Sequence, residues 1–170
     1  VRYPAKIFSL WSKSELETIG IYEVITDSSN KKDEQWYVNT SESYAFADNQ
    51  VTRSWGTATA KSHADVTQTI DGVEYTTPGL KTKLIKDLKI TVANELAKTD
   101  WYITRNTEKS TAIPSDISTH RDAVRTKQAE METAITNASD TPALETLYTF
   151  TKQEDGSVTR PLGELPTLES

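Results

Sequence analysis

The chain of 170 residues has no cysteine, one methionine, two histidines and six glycines. Without cysteine there are no disulfides and no thiolate metal sites, which fits synthesis in a reducing cytoplasm. A hydrolase triad needs a base, and only His63 and His120 are available. Neither stands in a G-x-S-x-G or H-E-x-x-H setting. His63 lies in a Ser-rich stretch and is expected to be exposed. His120 sits at a helix start beside Arg121, a cation that disfavours a protonated imidazole. Both are read as structural or incidental. There is no P-loop and no G-x-G-x-x-G, so nucleotide binding through backbone amides is poorly supported. No apolar run approaches the ~18 residues of a membrane span, and residues 1–8 lack the pattern of a signal peptide.

Positive charge is also in deficit, with 19 basic against 25 acidic residues and a formal charge of −6. Phosphate affinity rests on a clustered basic surface, so nucleic acid is not an expected partner. The one dense basic stretch, Lys81, Lys83, Lys86 and Lys89, is interrupted by Asp87 and reads as a solvated helix face. The acidic pairs Asp33/Glu34 and Glu154/Asp155 read as loop charges. Nothing singles out two carboxylates for glycoside hydrolysis, whose required separation is spatial. The expectation is a protein that is not an enzyme, with no cofactor and no metal.

Apolar residues make up 35% and the mean hydropathy is −0.59, so the core must be modest. The length suits one domain or two small units sharing a core. The predicted class is α+β: a small antiparallel β-rich N-terminal part, then a helical hairpin, a short third helix and an extended C-terminal tail. A β-rich head spans 1–56, a hairpin or extended arm 57–78, a helical region 79–150 and the extended tail 151–170.

Within the head, residues 1–8 suggest a strand. Ser12 and Glu15 have capping-box spacing, and Gly20 ends the short helix they open. Residues 21–25 follow as a strand, and 27–33 as a polar loop. Residues 35–39 and 50–55 are read as antiparallel partners about a turn at 47–49. In the arm, Asp71-Gly72 carries a hairpin signal. From Leu80, the residues Leu84, Leu88, Val92 and Leu96 recur at helical spacing, with Ile85 on the same side. Pro114-Ser115-Asp116 reads as the next helix start, with Ile117, Val124, Met131 and Ile135 facing inward. Thr141 and Pro142 are read as N-cap and first residue of the third helix, which carries Leu144, Leu147 and Tyr148. Asp155-Gly156 marks a turn.

One block concentrates interaction-prone residues: Thr99-Asp100-Trp101-Tyr102-Ile103-Thr104-Arg105, then Ile113-Pro114, then Arg121 and Arg125 one turn apart. The first reading is a helical hairpin pinned by Trp101 packing across its two helices, with Asp100 paired to Arg121 or Arg125. The second is an interface presenting Trp101, Tyr102 and the arginines, types that dominate binding hot spots.

The run TDWYITRNTEKSTAIPSDISTHRDAVRTKQAEMETAI resembles the C-terminal part of small tail proteins of tailed bacteriophages. That group includes tail-fibre assembly and virion structural proteins, many from marine and cyanobacterial phages. Its D-W-Y-x-x-R element, I-P step and H-R-x-x-x-R pattern match Asp100, Trp101, Arg105, Ile113, Pro114, His120, Arg121 and Arg125. RYPAKIF and LETIGIYEV are similar to the group's N-terminal part. The resemblance spans about two thirds of the chain and fails in the arm at 57–78 and after Phe150. It implies a phage tail component (baseplate, fibre or fibre-attachment protein) acting by protein–protein binding. Its partners would be other tail proteins, fibre or baseplate subunits, in an oligomer without nucleic acid or membrane insertion. Its place would be the virion, after assembly in the host cytoplasm. A tail-fibre assembly chaperone, absent from the mature particle, is the alternative. A host-surface carbohydrate-binding module, using Trp11, Trp36, Trp55 and Trp101, is a second one.

Overall fold

The computed structural model describes residues 2–168. It is a mixed α+β protein with small sheets and, among the described residues, six helices. The chain divides into two units, Val1–Ala60 and Lys61–Ser170.

In the first unit the expected opening strand over 1–8 is absent among the described residues. Residues 2–6 run into a short helix, α1 (Ile7–Leu10). Pro4 has no N–H for a ladder, and its carbonyl instead accepts from Ile7 at 3.2 Å. Helix α2 (Lys13–Thr18) opens on a reciprocal capping box, in which Ser12 N donates to Glu15 Oε2 at 2.8 Å and Glu15 N donates to Ser12 Oγ at 3.4 Å. It ends before Gly20, whose φ of +82° places it in the left-handed region.

Strand β1 (Val24–Thr26) begins later than the expected 21–25 segment. The pairing of 35–39 with 50–55 is also corrected. Strand β2 (Tyr37–Val38) pairs instead with the distant β5 (Thr59–Ala60), while β3 (Ser43–Ala47) pairs with β4 (Gln50–Ser54). The reason is turn length: Asp48 and Asn49, both at positive φ, make a two-residue turn. Such a turn forces β4 onto the residues immediately before it. On its other side β4 takes β1 in parallel, so this sheet, ordered β1-β4-β3, is mixed rather than purely antiparallel. Ile7, Trp36 and Tyr37 are the buried large apolar residues described in this unit.

The second unit starts with a hairpin, β6 (Val66–Ile70) and β7 (Val73–Thr77), closed by Asp71-Gly72 at φ 51° and 79°. Helix α3 (Leu80–Ala97) follows, and its start is held by the chain just before the hairpin. Leu80 N donates to Ser62 O and Lys81 N to His63 O, both at 3.0 Å. Asp65 Oδ1 accepts from Gly79 N at 2.8 Å and Thr82 Oγ1 at 2.7 Å. These bonds satisfy donors that every helix N-terminus leaves open. Gly79 is required by proximity, because a Cβ there would lie 2.3 Å from the Ala64 carbonyl carbon and oxygen.

After α4 (Asp100–Lys109) comes α5 (Ser115–Asn137), which packs on α3. Leu80, Leu84, Leu88 and Val92 of α3, and Ile117, Val124, Met131 and Ile135 of α5, are all buried. Full burial of each contributes about 1.5–3 kcal/mol. Lys81 Nζ reaches Thr136 O at 2.7 Å at one end of the pair and Arg121 reaches Leu96 O at 2.8 Å at the other, so the helices run antiparallel. Helix α6 (Thr141–Tyr148) is capped one residue earlier than expected, by Asp140, whose Oδ1 accepts from Ala143 N at 2.8 Å. Thr141 is buried and donates to Lys61 O at 2.6 Å.

The segment after Phe150 is not simply an extended tail. Strands β8 (Thr151–Lys152) and β9 (Val158–Thr159) form a hairpin across Asp155-Gly156. Leu162 is then buried, its N–H donating to Leu147 O at 3.0 Å. Arg160 lies over the Tyr148 and Phe150 rings, at 5.3 and 5.1 Å.

Candidate functional site

Helix α3 cannot continue smoothly past Ala97, because Thr99 takes φ −117° and ψ 6° and redirects the chain into α4. Thr99 is buried, and its hydroxyl donates to Leu96 O at 3.0 Å. Arg121 enters this corner from α5. One nitrogen, Nη1, donates to Leu96 O at 2.8 Å, to Thr99 Oγ1 at 2.7 Å and to Asp100 Oδ1 at 2.9 Å. Arg121 is buried while the Asp100 side chain is 60% exposed. The carboxylate therefore stays solvated, and the Leu96 carbonyl and the Thr99 hydroxyl supply the dry side of the site. The Arg121 Nε has no hydrogen-bond partner. Asp100 thus pairs with Arg121 and not with Arg125, which is exposed and pairs with Asp122 on its own helix at 3.2 Å.

His120, next to Arg121, is also buried, and its Nε2 lies 3.5 Å from Glu95 Oε1 without forming a hydrogen bond. Glu95 is bonded to Lys98, which holds its carboxyl below the usual carboxylate range, and His120 adds to the effect. His63 is half-buried rather than exposed, its backbone carbonyl being one of the α3 caps.

The expectation that Trp101 pins a hairpin from within is overturned. Trp101 is 52% exposed. The corner is pinned by Arg121, so α4 is free to turn its indole outward. Trp101 stacks on Tyr102 at 4.0 Å between ring centroids, and Arg105 lies over the indole at 5.6 Å. A cation–π contact of this exposed kind is worth about 0.5–1 kcal/mol. The sequence-predicted residues therefore separate. Asp100 and Arg121 build the corner, exposed Trp101 and Arg105 and half-buried Tyr102 form a ladder on α4, and Pro114 is the N-cap residue of α5 beyond it. Thr99 was missed as a site residue, although a hydroxyl directly before the D-W-Y run was a visible signal. Arg125 does not join the constellation.

Among the described residues no group of three or more His, Asp or Glu side chains is placed to hold a metal ion. No helix among them is long and apolar enough to cross a membrane. No family model, no curated protein and no solved structure matches the chain.

Proposed function

We propose that the chain is a structural component of a bacteriophage tail, a baseplate, fibre or fibre-attachment protein, which works by binding other tail proteins and performs no catalysis. The observation that carries the binding role is the Trp101–Tyr102–Arg105 ladder, with Trp101 and Arg105 exposed and Tyr102 half-buried, on a helix whose base is fixed by Arg121. Aromatic and arginine side chains held in place before a partner arrives lose little entropy on binding. The tail assignment rests on the D-W-Y-x-x-R resemblance. The carbohydrate reading has less support: Trp36 is buried, Trp11 and Trp55 are half-buried, and Trp101 is the open indole among the described residues.

Mass spectrometry of purified phage particles tests the proposal, with copy number taken against the major tail proteins. Peptides of this chain at a fixed stoichiometry are the expected result. Their absence from particles, with the protein present in the infected-cell lysate, replaces this proposal with the assembly chaperone.

A further inference from the structure

After β9 the chain runs along α5 toward that helix's start. It is anchored by a turn in which Gly163 N donates to Arg160 O at 2.9 Å, while buried Leu162 donates to Leu147 O at 3.0 Å. Gly163 takes φ +74° there, close beside Lys127 of α5. Beyond this anchor the hold weakens. Leu165 and Pro166 are half-buried, and Leu168 is 38% exposed. Glu164 pairs with Arg160, within the same segment. Among the described residues no hydrogen bond or ion pair joins 165–168 to the rest of the chain.

Residues 166–168 nevertheless form one wall of an open cavity of about 470 Å³, whose other wall is the first turns of α5 with Thr119, His120 and Ala123. His120 is 8% exposed, and its Nε2 has no hydrogen-bond partner. We infer that residues 164–168 are a strap that opens and closes over His120 while the helices stay folded. Local opening takes place where few apolar contacts and no backbone hydrogen bonds hold a segment. Here Leu165, Pro166 and Leu168 supply the contacts. Opening also has its own gain, since water then reaches a buried nitrogen that has no partner in the closed state. The hinge is Gly163, the last residue fixed by the turn, and glycine tolerates the change in backbone angles that the swing requires. The strap thus controls access to the His120 side of α5. The inference concerns the isolated protein and does not depend on the tail assignment.

Diethyl pyrocarbonate, which acylates accessible imidazoles, tests it on the full chain. Peptide mass spectrometry reads His120 and His63 separately, and far-UV circular dichroism reads the helices. His63 does not line the cavity and serves as the reference. Wild-type His120 reacts about tenfold more slowly than His63, yet to completion with the helical signal unchanged. Leu165→Ser with Leu168→Ser speeds His120 about tenfold and leaves His63 and the helices as they were. Val158→Ser, at an exposed position in β9, changes neither rate. An unchanged His120 rate in the double variant overturns the inference. So does a wild-type His120 that reacts as fast as His63, or one that reacts only once the helices unfold.

Discussion

Arg121 gathers three acceptors on one nitrogen, at 2.7 to 2.9 Å, from a position that is nearly closed to solvent. Removing it leaves the Thr99 hydroxyl and the Leu96 carbonyl with a lost partner in a dry corner. Arg121→Ala is expected to lower stability by about 2–4 kcal/mol in urea unfolding. Arg121→Lys should recover only part of this, because a compact ammonium on a flexible stem is a poor replacement for the guanidinium. Trp101 separates the two readings of the block. An indole packed across two helices costs about 3–5 kcal/mol when truncated. The exposed Trp101 predicts that Trp101→Ala changes stability by less than about 1 kcal/mol. The same variant, with Arg105→Glu, should weaken pull-down of a tail partner at least tenfold, as about 1.4 kcal/mol of lost contact does.

Helix α3 owes its start to chain that precedes the hairpin, and that dependence is testable at two atoms. Gly79→Ala sets a methyl 2.3 Å from the Ala64 carbonyl. Because Gly79 has φ −75°, an ordinary value for any residue, the cost is steric and not torsional. Thermal unfolding should show a loss of about 2 kcal/mol or more. Asp65 makes the same cap sensitive to acid. Its hydrogen bonds from Thr82 and Gly79 lower its carboxyl from the ordinary 3.8. A folded-state value below the unfolded one means the stabilisation is present in full above the unfolded value. It is lost as pH falls through the folded one. Asp65→Asn keeps an acceptor oxygen but cannot titrate, so its stability should fall less steeply between about pH 5 and pH 2. An equally steep fall would assign the acid sensitivity to other carboxylates with lowered values, such as Glu15, Glu42 and Asp155.

At the scale of the whole molecule, the two units carry very different cores. Residues 61–170 bury eight large apolar side chains between α3 and α5 alone, with Leu144 and Leu162 besides. Residues 1–60 bury Ile7, Trp36 and Tyr37. Sixty residues are near the lower limit for independent folding even with a good core. The piece 61–170, expressed separately, is expected to keep the helical circular dichroism and unfold cooperatively, while 1–60 is not. A cooperative transition in 1–60 alone would contradict this division of stability.

Local chemistry made several elements legible in the sequence. The Ser12–Glu15 box, the Asp71-Gly72 hairpin and the two helices with leucine and isoleucine stripes follow from short-range spacing, which depends on little beyond neighbouring residues. The outward indole of Trp101, the partner of Asp100 and the pairing of β2 with β5 depend instead on contacts between residues far apart in the chain. Asp100 had two arginines within plausible reach, and only the antiparallel packing of α3 on α5 selected Arg121. Trp101 stands half exposed beside that ion pair, stacked on Tyr102. The amino-acid sequence by itself determined the long helices α3 and α5 and the Asp71-Gly72 hairpin, and its composition set the charge of −6 and the absence of cysteine. Tertiary structure decided the coverage that spacing does not set, burying Thr99 and Arg121 and leaving Trp101 half exposed, because burial there depends on how distant segments pack.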